Sequence, residues 1–132
     1  MLNIKKALTK LSNRLSFPVT KKTWSNIATP TATYYDLTTF ELKPNSMYLI
    51  FGVNGNALAP EARCGITIDY TNTEDATFGC VLGSAGAGNN TVCWGYAVTG
   101  SRTGYAKLKS YGYNTNVTNM NGSAIAIRLR GG

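Results

Sequence analysis

The chain contains no histidine, and only six of its 132 residues are acidic. The absence of histidine excludes Ser-His-Asp and Cys-His catalytic arrangements and histidine metal sites. Long apolar runs are also absent, because no stretch approaches the ~20 apolar residues that a membrane-spanning helix needs. Histidine chemistry and membrane insertion are therefore not expected.

The six acidic residues give little support for an enzyme active site. A glycosidase needs two carboxylates placed across its substrate, and the nearest set is Asp69 with Glu74 or Asp75. Asp69 falls near the end of an expected strand and the other two fall in a turn, where acids commonly solvate the loop. A calcium site built from the same acids is an alternative. We predict a protein that is not an enzyme and has neither cofactor nor metal.

Cysteine is scarce, with Cys64, Cys80 and Cys93 alone in the sequence. Their spacing contains no Cys-x-x-Cys pair and does not match a zinc site. Each falls within an expected strand among apolar neighbours, which predicts three buried free thiols. Free thiols are typical of assembly in a reducing cytoplasm. A single disulfide between neighbouring strands remains an alternative.

The first sixteen residues have the pattern of a basic amphipathic helix. An apolar seam recurs at spacings of four, three and four, which is the repeat of a helix packed against partner helices: Ile4, Leu8, Leu11 and Leu15. Pro18 blocks continuation of the helix, and Phe17 before it is biased toward an extended conformation. We therefore divide the chain into a helix at residues 1–16, for attachment or trimerisation, and a head at residues 17–132.

An isolated helix of this length is marginal in water and needs a partner. Three partners compete: copies of the same chain, another protein on which the helix docks, and a membrane surface. A core helix of the head itself is a further alternative.

The positive net charge of +7 is concentrated at the start of the chain. Six of the thirteen cations precede Asp36, the first acid, and the rest of the chain is nearly neutral. Nucleic-acid binding needs cations and aromatics along a groove, and only Lys107 and Lys109 among nearby tyrosines resemble this. We therefore expect no nucleic-acid partner.

The head shows short β-favouring segments separated by turn residues, which is typical of a sandwich or barrel. The expected strands cover residues 33–37, 40–42, 47–53, 64–70, 78–82, 92–98, 105–113 and 123–130. The most apolar of them, residues 47–53, is expected to be central and buried on both faces. Residues 83–90 are expected to form a flexible glycine-rich loop.

Two strands carry more specific expectations. In residues 123–130, Ile125, Ile127 and Leu129 are expected to face the core, with alanine and arginine on the other face. Trp94 lies in an apolar strand and is expected in the core or at a subunit interface.

The best exposed candidates for contact with a glycan or receptor combine aromatic rings with amides at a loop edge. They are Tyr111, Tyr113, Asn114 and Asn116. Such residues suit stacking against sugar rings, although a plain hairpin tip has the same composition.

Three blocks, KKALTKL, FELKPNSMYLIFGV and SAIAIRLRGG, together resemble small structural proteins of tailed bacteriophages and prophages. The last two blocks are also similar to the jelly roll of the tumour-necrosis-factor and complement type. The resemblance implies an all-β, antiparallel jelly-roll sandwich with a short N-terminal α-helix. It further implies a homotrimer in a virion assembled in the bacterial host cytoplasm, as part of a fibre, tail tip or capsid decoration.

The expected function is therefore that of a non-enzymatic virion structural protein whose head contacts a host surface, such as a cell-surface glycan, or other virion proteins. Its helix would bind other virion proteins or join the copies. Two alternatives remain open: a capping module that contacts only virion proteins, and a small secreted lectin or cytokine-like binding module.

Overall fold

The structure is a computed structural model that describes residues 3–15, 17–29, 33–55, 63–71, 74–81, 83–86, 90–112 and 117–131. These residues form one helix and nine strands. In chain order they are α1 (Ile4–Leu15), β1 (Val19–Thr29), β2 (Tyr34–Leu42), β3 (Ser46–Gly55), β4 (Arg63–Thr71), β5 (Thr77–Val81), β6 (Gly83–Gly86), β7 (Asn90–Val98), β8 (Gly104–Gly112) and β9 (Val117–Gly131).

The strands form two antiparallel sheets. One has five strands in the order β1-β9-β3-β7-β5, and the other has four in the order β2-β8-β4-β6. Apart from the short edge strand β5, the pairing is nested: β1 pairs with β9, β2 with β8, β3 with β7, and β4 with β6. This nesting is that of a double-sheet jelly roll. The predicted antiparallel jelly-roll sandwich with a short N-terminal helix is confirmed.

The two sheets contribute unequally to the core between them. The four-stranded sheet supplies large buried side chains, namely Phe40, Leu42, Ile66, Ile68 and Leu108. The five-stranded sheet contributes several small ones at its inward positions: Gly52, Cys93, Gly95, Ala97, Ala124 and Ala126. A Cβ at Gly52 would lie 2.6 Å from Leu108 Cδ2, so Leu108 occupies the space that a side chain at Gly52 would need.

A buried polar contact ties three strands of the five-stranded sheet together. Trp24 on β1 donates from Nε1 to Asn54 Oδ1 on β3 at 2.8 Å, and Asn54 Nδ2 lies 3.1 Å from Met120 Sδ on β9. Asn54 and Met120 are fully buried, and Trp24 is nearly so. Because a buried N–H donor needs an acceptor, the Asn54 side-chain oxygen allows the Trp24 indole to be buried at the edge of the core.

The orientation expected for the last strand is wrong. Ala124 and Ala126 face the core, at 3% and 4% exposure, whereas Ile125, Ile127 and Leu129 point outward and are half-buried. The reason is steric, because the inner face of this sheet must be small where it meets the large side chains of the other sheet.

Three strands also differ from those expected. β1 was not predicted, β2 is one strand rather than two, and Gly83–Gly86 in the expected loop forms strand β6. β6 pairs with β4 through Gly86 opposite Arg63 and Gly83 opposite Ile66. An edge strand of this kind depends on backbone pairing, which side-chain periodicity does not report.

The helix begins at a polar cap and stands apart from the sheets. The Asn3 side chain accepts a hydrogen bond from the Lys6 amide at 3.0 Å, as an N-cap residue does. In the part of the chain that the structure describes, the helix packs against neither sheet to any substantial extent. No helix among the described residues has the length and apolar character needed to cross a membrane.

We predict that Asn54→Ala lowers the free energy of unfolding by about 1–3 kcal/mol, because the Trp24 indole N–H would lose its buried acceptor. Urea denaturation followed by circular dichroism measures this change. Asn90→Ala is the control, since Asn90 is exposed at the end of β7. Equal stability of the two variants would contradict the role of the Trp24–Asn54 bond.

Candidate interaction surfaces

The outer face of the five-stranded sheet is covered by apolar side chains. We call this surface the apolar face, and it consists of Val19, Met47, Leu49, Phe51, Val53, Val81, Val92, Trp94, Tyr96, Val98, Ile125, Ile127 and Leu129. Several of them are strongly exposed, including Trp94 at 46% and Val92 at 52%. Nothing in the described part of the chain forms a layer over this face.

The strand register makes the apolar face continuous. Phe51 on the central strand lies opposite Trp94 on one side and Ile125 on the other. Leu49 lies in the same way between Tyr96 and Ile127. Directly opposed residues on neighbouring strands share a face of the sheet, so these side chains form unbroken rows.

Two expectations for these strands change accordingly. β3 is central, but it is not buried on both faces, because Phe51 and Val53 are 37% and 38% exposed. Trp94 is not in the core. The other location expected for Trp94, a subunit interface, stays a prediction.

The apolar face was not expected as a site from the sequence, although a signal for it exists. In β7 the large residues Val92, Trp94 and Tyr96 alternate with the small residues Cys93 and Gly95. A strand with large apolar residues on one side and small ones on the other is apolar on both faces. The small residues mark the face that meets another sheet closely.

The outer face of the four-stranded sheet has the opposite character. Lys107 Nζ lies 3.3 Å from Asp36 Oδ2, and Lys109 Nζ lies 2.9 Å from Asp69 Oδ2. The hydrogen bond to Asp69 raises the pKa of the Lys109 ammonium. Partly exposed ion pairs of this kind add little stability but keep a surface hydrated. One side of the head is thus charged and the other apolar.

Of the predicted glycan contacts, only Tyr111 lies within the described residues, and Tyr113, Asn114 and Asn116 lie outside them. Tyr111 is half-buried on β8, with its ring centroid 4.7 Å from that of Tyr34. The two rings are in contact and lie beside the ion-paired surface. Sugar binding there stays a prediction.

The seam of the helix is exposed where it is described. Ile4 and Leu8 are 68% and 60% exposed, and the side chains of Leu11 and Leu15 lie outside the described part. The seam is therefore not a core element of the head at these two positions. Its role in oligomerisation or attachment stays a prediction.

The acids considered for catalysis or calcium binding do not form a cluster. Asp69 bonds Lys109, while Glu74 Oε2 lies 2.6 Å from Arg102 Nη1. Among the described residues, no group of three or more Cys, Asp or Glu side chains is placed to hold a metal ion.

The cysteines differ from one another in exposure. Cys93 is fully buried and free, and burial raises the pKa of its thiol to about 12. Cys80 is also free but exposed, so the expectation that all three thiols are buried is wrong. The reason is that Cys80 lies on the edge strand β5, which has a neighbour on one side only. The side chain of Cys64 is outside the described part.

No protein-family model matches this sequence, and no curated protein matches it.

We predict that iodoacetamide at pH 8 modifies Cys80 much faster than Cys93. With a pKa near 12, only about one Cys93 thiol in ten thousand is ionised at this pH, and the thiolate is the nucleophile. Mass spectrometry of peptides after timed alkylation measures both rates, and equal rates in urea are the control. Equal rates in the native protein would contradict the burial of Cys93.

Proposed function

We propose that this chain is a non-enzymatic structural module that assembles as a homotrimer through the apolar face. Its N-terminal helix attaches the trimer to a larger assembly or joins the copies. The module is of the kind that forms fibres, tail tips or head decorations on tailed-phage virions, where the head contacts a host surface or other virion proteins.

The apolar face carries this proposal. Five strands about 4.8 Å apart and seven residues rising about 3.4 Å each give it a footprint of about 400 Å². Apolar patches of that size on single chains are commonly interaction sites. Exposure of so many large side chains to water is costly, at roughly 25 cal/mol per Å² of apolar surface. The face therefore favours a protein that associates.

A second copy is the partner that the chemistry favours. Among the described residues, charged side chains stand only at the margins of the face, with Lys21 on β1 and Arg130 near the end of β9. A matching partner must also be apolar and uncharged, and the same face on other copies meets those requirements. Around a threefold axis, one part of the face contacts a different part of the face on the next copy, and this heterologous contact closes into a ring.

Three copies, rather than two, follow from the resemblance to jelly rolls of the tumour-necrosis-factor and complement type. A threefold axis also places the three helices at the same end of the trimer. The exposed seam residues Ile4 and Leu8 would then face one another or a common partner. Linked copies multiply weak contacts, which suits attachment to a surface.

We predict that Tyr96→Glu converts the trimer to a monomer at micromolar concentration, because it places a charge within the apolar face. Light scattering coupled to size-exclusion chromatography measures the mass. Tyr105→Glu is the matched control, since Tyr105 is equally exposed, at 39%, on the outer face of the other sheet. A wild-type monomer, or a Tyr96→Glu trimer, would contradict assembly through this face.

The same measurement on a chain that starts at Phe17 separates the helix from the head. A trimer without the helix would assign assembly to the apolar face and leave the helix for attachment. A trimer that requires the helix would assign assembly to the seam instead.

A further inference from the structure

A cleft of about 360 Å³ opens between the two sheets along the edge where β1 and β2 lie. Its floor is formed by Phe40, Tyr48 and Ala126, which belong to the inward faces of three strands. The small side chain of Ala126 leaves space there that a larger core residue would fill. The volume is at the lower end of the range for small-molecule sites, about 300–1,000 Å³.

The lining of the cleft is positively charged. It contains Lys22, Lys43 and Arg128 against a single acid, Glu41. Three cations so close together repel one another unless an anion is bound, and this repulsion lowers the cost of binding one. Residues 17–132 carry nine cations and six acids, so the cleft accounts for two of the three excess positive charges of the head.

Hydrogen bonds hold the side chains of two of these cations in place. Lys22 Nζ donates to the Thr39 carbonyl at 2.6 Å, and Arg128 Nε donates to Ser46 Oγ at 3.2 Å. Ser46 is fully buried, so it provides a rigid anchor for the guanidinium. Side chains that are already ordered lose less entropy when a ligand binds.

Lys43 is positioned through its backbone. Its carbonyl accepts a hydrogen bond from Thr99 Oγ1 at 2.6 Å, and the same hydroxyl oxygen accepts one from the Ser46 amide at 2.9 Å. The turn between β2 and β3 is thereby fixed to the end of β7. The rim of the cleft is thus built on a bonded turn.

The hydroxyl of Tyr48 supplies an independent observation. Tyr48 is 6% exposed and lines the cleft. Its oxygen accepts a hydrogen bond from the Lys43 amide at 3.0 Å, and among the described residues no acceptor receives its proton. A buried hydroxyl proton ordinarily has a partner. A ligand in the cleft would provide one.

We propose that this cleft binds a single anionic sugar residue through its carboxylate or phosphate group. Arg128 and Lys22 bind the anion, and the Tyr48 hydroxyl donates to it. The volume of the cleft and its apolar floor of Phe40 and Tyr48 fit a sugar ring rather than a bare inorganic anion. The inference goes beyond the proposed function, because the cleft is complete within one copy of the chain.

The test is a titration of the full-length chain, followed by NMR, with methyl β-D-glucuronide, glucose 6-phosphate and methyl β-D-glucoside. We expect the two anionic sugars to bind with a dissociation constant on the order of 1 mM and the neutral glycoside to bind much more weakly. Binding of the glucuronide alone assigns the site to sugar acids, and binding of the phosphate alone assigns it to sugar phosphates. Absence of binding by both, or equal binding of the neutral glycoside, overturns the proposal.

Variants locate the binding. Arg128→Gln should weaken it by about tenfold or more, as expected for loss of a hydrogen bond to a charged group. Lys107→Gln removes the same charge from the outer face of the other sheet and should leave the affinity unchanged. Equal losses in the two variants would show a general charge effect and overturn the site.

Gly131→Ala tests the geometry without removing a charge, because a Cβ there would overlap the Arg128 guanidinium. We expect reduced affinity with an unchanged melting temperature. Tyr48→Phe should also reduce affinity, and folding of each variant is checked by circular dichroism. Unchanged affinity in both variants would overturn the assigned contacts. Because these readouts do not depend on the mass of the assembly, failure here is distinct from failure of the trimer.

Discussion

The close approach of the two sheets governs much of this molecule. Large side chains from the four-stranded sheet, such as Leu108, extend far enough to leave no room for a side chain at Gly52. At Gly95 the Tyr70 hydroxyl of the four-stranded sheet takes up the same space, and the Gly79 carbonyl of the neighbouring strand β5 adds to the crowding. Because packing in a protein interior is dense, the inward positions that meet these side chains are small, whereas Trp24, Tyr48, Ile50 and Met120 fill other inward positions of the same sheet. Most other large apolar residues of the sheet are on the opposite face.

This division links the two surfaces to which we assign roles. Large apolar side chains for which the core has no room lie on the outer face of the sheet and form the apolar face, where Phe51 and Trp94 lie side by side. At the edge of the sandwich, the small residue Ala126 has less to pack against and a cleft remains. One steric requirement thus yields a surface suited to association and a separate cavity suited to a small anion. The charged face of the other sheet takes part in neither.

The fold class could be read from the sequence, whereas the direction of each face could not. Alternation in residues 92–98 and 123–130 marks strands, and turn residues separate them. Alternation alone does not say which set of residues points inward, and for Ile125 and Ala124 hydrophobicity suggests the wrong one. The deciding quantity is the volume that the opposite sheet brings, which depends on tertiary structure. Strand β6 was missed for a related reason, because its glycines carry no periodic signal.

The candidate sites were less predictable still. The helix seam is local in sequence and could be identified from spacing, but its partner is not encoded there. The cleft joins Lys22 to Arg128, which are far apart in sequence and meet only because β1 pairs with β9. No spacing rule connects such residues. The apolar face likewise combines side chains from all five strands of its sheet.

The nested pairing has a consequence for biosynthesis. β9 follows the other eight described strands in the chain, yet it lies between β1 and β3, so β1 has no neighbour in its sheet until residues 117–131 have been synthesised. The helix, by contrast, depends on no later segment for its backbone hydrogen bonds. On a polysome, the helices of adjacent nascent chains are therefore available to one another while every head is still incomplete.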